Sequence, residues 1–204
     1  MFRTLTNVSQ IFRTPLGLAA GLAVLLAQAS IAEVPSSGHI NFVAKNFIAT
    51  ANGTFHDWKV VELNLPEGDF AKASVVVEVD VASLDTDNER RDDHLRNPDF
   101  FEVERWPTAM ARVRGVEQRS GQQFGAEFEL TIRDVTKTVP GNFELKCTPP
   151  LRVTGALAID RMDFGIGEPK TWNPMSITDV VPVTFEMELS EELSALASVY
   201  CQAP

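Results

Sequence analysis

The chain has 204 residues, with 18 Lys and Arg against 28 Asp and Glu for a formal net charge of −10, 44% hydrophobic residues and two cysteines. That length suits one domain of about 100–200 residues, and the hydrophobic share excludes a disordered or fibrous chain. The acidic balance excludes a nucleic-acid binder, which needs clustered Lys and Arg, and two cysteines are too few for a disulfide framework or a four-cysteine zinc site.

Residues 1–32 read as a cleavable signal peptide. Arg3 and Arg13 supply a basic start, Leu16 to Ala27 is almost wholly Leu, Ala, Gly and Val, and Ser30-Ile31-Ala32 forms a small-x-small exit before Glu33. The competing reading, an uncleaved anchor, needs about 20 apolar residues, and this core is shorter and interrupted by glycines. The arginines are not adjacent, as a twin-arginine signal requires, and the first cysteine, Cys147, lies far from the cleavage point. The expectation is a soluble domain exported to the periplasm rather than onward to the exterior, with no stable membrane insertion after cleavage. In that oxidising compartment Cys147 and Cys201 can pair, tying the tail to a central strand. The alternative is two unrelated thiols.

From His39 onward the dominant period is two, the mark of half-buried strands. Ala73, Val75, Val77, Val79 and Val81 share one face of the Lys72–Val81 segment, with Val76 the exception. The same alternation places Phe124, Ala126, Phe128, Leu130 and Ile132 together, then Leu151, Val153, Gly155, Leu157 and Ile159, then Val181, Val183, Phe185, Met187 and Leu189. Further strands are predicted over 39–45, 53–65, 108–117 and 136–146. Turns are read at Pro66-Glu67-Gly68-Asp69, Ser120-Gly121, Pro140-Gly141-Asn142 and Thr148-Pro149-Pro150. No long amphipathic helix separates the strands, so a meander that curls on itself is expected. Two segments break the pattern. Residues 85–96 are densely charged and read as a loop or short helix capped near Asn88, and 190–200 read as a short C-terminal helix.

No catalytic or metal motif emerges. Asp85-x-Asp87-x-Glu89 resembles the start of a calcium loop, but its sixth and twelfth positions are Arg90 and Arg96. His39, His56 and His94 follow no metal spacing, and neither a nucleophile elbow nor a phosphate loop is present. What stands out is 13 Phe against one Tyr and three Trp. Those rings either fill a core or line an apolar tunnel, and alternation alone does not choose between the two.

The run from Ser83 to Ala109 (SLDTDNERRDDHLRNPDFFEVERWPTA) resembles the signature of the YceI-like polyisoprenoid-binding family. Leu130–Val139 (LTIRDVTKTV), Ile159–Gly167 (IDRMDFGIG) and the closing segment Ile177–Leu189 are similar to its further motifs, in order. Phe47–Phe55 fits its first hairpin more loosely. The resemblance implies an all-β fold, an extended eight-stranded antiparallel lipocalin-like barrel, placed over 33–190; the tail or helix over 191–204 lies outside the motifs and rests on the residue pattern alone. It also implies a non-catalytic protein that binds, transports or stores a polyisoprenoid or related amphiphilic lipid, such as one with a quinone tail, with no other cofactor. Phe42, Phe55, Val77, Val79, Phe101, Phe128, Leu130, Leu157, Ile159 and Phe185 are the expected ligand-binding residues. Asp85, Asn88, Arg91, Asp92, His94 and Leu95 are expected to brace a loop at one barrel end, and Lys137, Arg161, Asp163, Gly165 and Gly167 to form turns and salt bridges. The competing readings are a filled barrel acting as a stress-response or partner-binding module, and an enzyme acting on a bound lipid. Assembly as a homodimer is left open.

Overall fold

The protein is represented by a computed structural model that describes residues 37–66, 69–169 and 176–202. The leader read over 1–32 and the middle of the turn at 66–69 lie outside the described residues. Among the described residues ten antiparallel strands make one sheet: β1 (Gly38–Lys45), β2 (Thr50–Phe55), β3 (Trp58–Asn64), β4 (Ser74–Asp80), β5 (Leu84–Asp85), β6 (Thr108–Ser120), β7 (Gln123–Ile132), β8 (Val135–Lys146), β9 (Arg152–Asp160) and β10 (Val180–Glu188). Two short helices, α1 (Glu89–Arg96) and α2 (Glu191–Ala197), complete the fold.

The strand order is β3-β4-β6-β7-β8-β9-β10-β1-β2-β5. β2 and β3 therefore sit near opposite ends of the order, yet only His56 and Asp57 connect them. Three Cα steps of 3.8 Å bring Phe55 and Trp58 within about 11 Å of each other. The sheet has no choice but to curl, and its apolar face becomes the inside. The corner itself is pinned: the Asp57 N–H donates to Ser83 Oγ at 3.0 Å, and the Asp80 N–H donates to Asp57 O at 2.8 Å.

This corner also corrects the expected strand count from eight to ten. The segment read as one strand over 53–65 breaks at His56–Asp57, its halves pairing with β1 and β4 respectively. The two-residue β5, paired with Thr54–Phe55, supplies the tenth strand and is too short to show a period. Pro140-Gly141-Asn142 is likewise not a turn but the middle of β8. The β8–β9 ladder starts only at Asn142, so the proline, which lacks an N–H, costs no bond on that side. The actual β7–β8 turn is Arg133–Asp134, with Arg133 at φ 56. Its guanidinium holds the turn from a distance, donating to Gly165 O and to Glu102 Oε2, both at 2.8 Å.

The two ends are finished by different chemistry. At one end Phe124 stacks on Phe143 at 5.2 Å between ring centres, and Phe70 and Tyr200 meet Phe124 at 5.7 and 5.2 Å. Leu189, Leu193 and Ala197 close over these rings, so α2 seals this end with buried apolar area. Ser190 caps α2 by accepting from the Leu193 N–H. Cys147 and Cys201 are disulfide-bonded with Cα atoms 5.6 Å apart, fastening the following turn to the end of β8.

The other end is held by polar bonds. Asn88 caps α1 through the Arg91 N–H, as its position in the charged run suggests. Buried Asp92 accepts from both the N–H and the hydroxyl of Thr86, while Arg91 donates to the Thr86 hydroxyl and carbonyl. Arg161, 3% exposed, is the hub of the facing loop. It donates to the carbonyls of Ile166, Glu168, Ile177 and Thr178 and to Asp179 Oδ1. Burial lowers the pKa of this guanidinium from its ordinary value, while Asp179 and Asp160 act to raise it. Gly165, at φ 65, ends the 3-10 turn that follows Arg161. By contrast the Lys137–Asp163 pair, 3.5 Å apart, is solvent-exposed.

Two stability predictions follow from these ends. Arg161→Met leaves the buried carbonyl of Ile166 and three part-buried ones without this donor and should lower unfolding stability by about 2–4 kcal/mol; Lys137→Met should cost less than about 1 kcal/mol. Equal urea midpoints for the two variants would refute the hub role. Replacing both cysteines by Ala frees a loop whose ends are 54 residues apart. That should cost about 2–4 kcal/mol, read as a lower melting temperature that added reductant no longer changes.

Candidate functional site

Inside the curl the alternation of each strand delivers one row of side chains. Ala73, Val75, Val77 and Val79 face inward from β4 and its approach, Ala109, Ala111 and Val113 from β6, and Val181, Val183, Phe185 and Met187 from β10. They surround a cavity of about 260 Å³. A water takes up roughly 30 Å³ in the liquid, so the void has room for several. Small side chains explain why it exists. Valine and alanine on β4 and β6 are too short to reach the opposite wall, and no inward ring occurs on either strand.

Phenylalanines enter from the other wall, and glycines make room for them. Gly53 lies directly opposite Phe42 in the β1–β2 ladder, and Gly155 opposite Phe185 in the β9–β10 ladder. A Cβ built at either glycine would fall on the partner's ring, nearer than real Cβ atoms approach. The missing side chains let these rings lie flat against the wall instead of projecting across the lumen.

All ten residues expected at a ligand site border this one cavity: Phe42, Phe55, Val77, Val79, Phe101, Phe128, Leu130, Leu157, Ile159 and Phe185. Ring contacts link some of them, with Phe42 and Phe55 at 5.4 Å, Phe55 and Phe101 at 6.1 Å, and Phe128 and Phe185 at 5.8 Å between centres. Residues that the sequence reading passed over also line it, among them Trp58, Phe70, Phe100, Met110 and Ile166. Phe100 and Ile166 come from irregular segments, where no period marks which side chains turn inward. Trp58 follows the chain break at His56–Asp57, which resets the alternation.

The walls carry almost no polar chemistry. Among the described residues, Arg161 and Glu186 are the charged members of the lining. Arg161 is engaged by the loop carbonyls, and Glu186 pairs with Arg152 at 3.6 Å. Of the brace residues, Leu95 lines the cavity, while His94 packs edge-on against Phe100 at 4.9 Å. Asp85 accepts from the Asp87 N–H at 2.8 Å. That bond, with the nearby His56, holds its carboxyl below the usual carboxylate range. Arg96, at the twelfth position of the calcium-like run, donates to the carbonyls of Ala82 and Leu84. Among the described residues no group of three or more His, Cys, Asp or Glu is placed to hold a metal ion. No helix of the described residues is long and apolar enough to cross a membrane.

Comparison with known proteins agrees with this architecture. A UPF0312 protein of Photorhabdus laumondii is 33% identical over 140 residues, covering 65% of this chain and 72% of its own. The crystal structure of Burkholderia cenocepacia BcnA superposes with a TM-score of 0.68 at 20% identity, covering 75% of this chain and 96% of that one. A polyisoprenoid binding domain from Saccharophagus degradans, implicated in plant cell wall breakdown, superposes at 0.58 with 16% identity, covering 78% and 98%. The model of the YceI-like domain matches residues 33–189, a span that contains all ten strands and the walls described above, and the chain belongs to that family.

Proposed function

We propose that this protein is a non-catalytic carrier that encloses the hydrocarbon tail of a polyisoprenoid, or of a related amphiphilic lipid such as a quinone, after export to the periplasm. The observation that carries the reading is the cavity: about 260 Å³ bounded by aliphatic and aromatic side chains, with its charged lining residues engaged by the protein. Water in such a space finds few hydrogen-bond partners, whereas each buried CH₂ of a guest contributes about 0.8 kcal/mol. A filled interior acting as a partner-binding module does not match this void. An enzyme acting on the lipid would need a polar group free to reach the guest, and the Arg161 guanidinium is occupied by loop carbonyls. The family relationship and the polyisoprenoid-binding neighbour support the same class of ligand.

Mass spectrometry of an organic extract, from protein purified without detergent, should show about one long-chain isoprenoid lipid per chain. Empty protein that also refuses added polyprenols and quinones would sink the proposal. A second test narrows the lumen. Val77 and Val183 line it from β4 and β10, five strands apart in the sheet order. Val77→Phe combined with Val183→Phe should leave the far-ultraviolet spectrum unchanged and reduce affinity for the longest guests at least tenfold, sparing short ones.

A further inference from the structure

Three of the four most exposed large apolar residues among the described ones gather at one corner. Phe47 is 87% exposed, Ile48 73% and Val180 51%. Phe47 and Ile48 form the tip of the β1–β2 hairpin, and Val180 opens the strand beside it. The tip is ordered by its own bonds. Asn46 Oδ1 accepts from the N–H groups of Ile48 and Ala49 at 2.9 and 2.7 Å, and the Asn46 N–H donates to Ala49 O at 2.9 Å. Folding therefore holds two large apolar side chains out in solvent.

The hairpin also runs on past the described ladders on either side of it. The β1–β10 ladder ends at Phe42–Val183, just before Pro182, which has no N–H to continue it. On the other side β5 pairs with Thr54 and Phe55 only. Among the described residues no third strand pairs with the hairpin from Val43 to Gly53, and the Thr178 N–H donating to Lys45 O at 2.7 Å is one of its links to the surroundings. The run from Asn46 to Phe55 contains no charged residue in a chain of net charge −10. The cavity lining reaches the base of this arm at Ala44, Ile177 and Val181.

We infer that the hairpin tip is a bilayer-docking device: Phe47 and Ile48 insert among lipid headgroups and set the cavity rim against the membrane for loading and release. A protein partner fits the observations poorly. A stable interface buries about 800 Å² on each side, and two side chains on a narrow convex tip provide far less. A bilayer needs no complementary pocket, and it accepts aromatic and aliphatic side chains at the headgroup boundary. The absence of charge at the tip removes the desolvation cost that the acidic remainder of the surface would meet, and exposed Lys45 at the base is placed to face phosphates. The transfer role rests on the carrier reading above; the docking role does not.

The test compares the wild-type protein, recovered in soluble form from the periplasm of an expressing bacterium, with Phe47→Ser/Ile48→Ser. Both residues are exposed, so the variant should fold with an unchanged melting curve. Flotation with vesicles of zwitterionic and anionic phospholipid should show at least a tenfold weaker association for the variant. Passage of a fluorescent polyprenyl probe between donor and acceptor vesicles should slow by a similar factor, while equilibrium occupancy by the probe in vesicle-free solution stays equal. Vesicle association of the wild type with no probe uptake would overturn the carrier reading and retain docking. Equal flotation and equal transfer for both proteins would overturn docking. So would a wild-type dimer, seen by sedimentation, that the double substitution converts to a monomer without any effect on vesicles.

Discussion

The structure depends on a mismatch between the circumference of the sheet and the size of the side chains on its inner face. The His56–Asp57 corner forces two distant members of the strand order together, and whatever faces inward must then cope with the space enclosed. On β4 and β6 the lining residues are Val and Ala with Met110, and on β1, β7 and β10 the rings of Phe42, Phe128 and Phe185 contribute to the wall. Close packing would be the ordinary outcome for an interior of this composition, because unfilled volume forfeits dispersion contacts. Here the side chains that could have filled the centre are stacked at one end instead, as Phe70, Phe124, Phe143 and Tyr200. The chain contains enough aromatic volume to fill more of its core; the order of residues along the strands places that volume elsewhere.

The two ends divide the work of stability and access. At the α2 end, apolar burial, ring stacking and a covalent bond act together, and opening it would expose several buried aromatic and aliphatic side chains at about 1.5–3 kcal/mol each. At the α1 end, the loops are tied by hydrogen bonds that Arg161 and Arg133 donate to neighbouring backbone carbonyls and that Asp92 accepts from Thr86. Such bonds contribute about 0.5–1.5 kcal/mol net, or somewhat more from a charged group, and water can replace them one at a time. The α1 end is also where the cavity lining approaches the β1–β2 arm. The difference in chemistry thus sets apart an end closed by apolar burial and a covalent bond from one tied by polar bonds.

Much of the wall was legible because it depends on period two alone. Val77 and Val79, Phe128 and Leu130, Leu157 and Ile159 could be assigned to the inside without knowledge of strand order, since alternation survives any arrangement that buries one face. The features that were not legible all rest on contacts distant in sequence. Arg133–Asp134 carries none of the glycine or proline that marks a turn, and its bend is held by Glu102 and Gly165. Pro140 looks like a strand breaker until the staggered start of the β9 ladder shows that its missing N–H has no acceptor to satisfy. The break at His56–Asp57 is invisible locally because neither flank alternates cleanly enough to show a reset, and β3 itself shifts register between Val60 and Glu62. Hollowness was beyond reach for a different reason: it depends on the sum of side-chain volumes across facing walls, which no single strand reports.

A cavity whose walls offer almost no hydrogen bonds recognises its guest in a particular way. Hydrophobic burial is non-directional and additive, so each CH₂ taken in multiplies affinity by about four at 0.8 kcal/mol per group. Affinity therefore climbs steeply with tail length while there is room, and stops climbing once the lumen is full. Beyond that point extra units stay in water or strain the wall, and neither adds binding. A hydrogen-bonded site separates ligands by the polar groups they carry, because a missing partner leaves a buried group unsatisfied. This one has little with which to read a head group, since its charged lining residues are engaged by the protein itself. On the carrier reading, the selectivity of such a chain would be a measure of hydrocarbon length and thickness, set by where Val, Ala and Gly fall along a few strands.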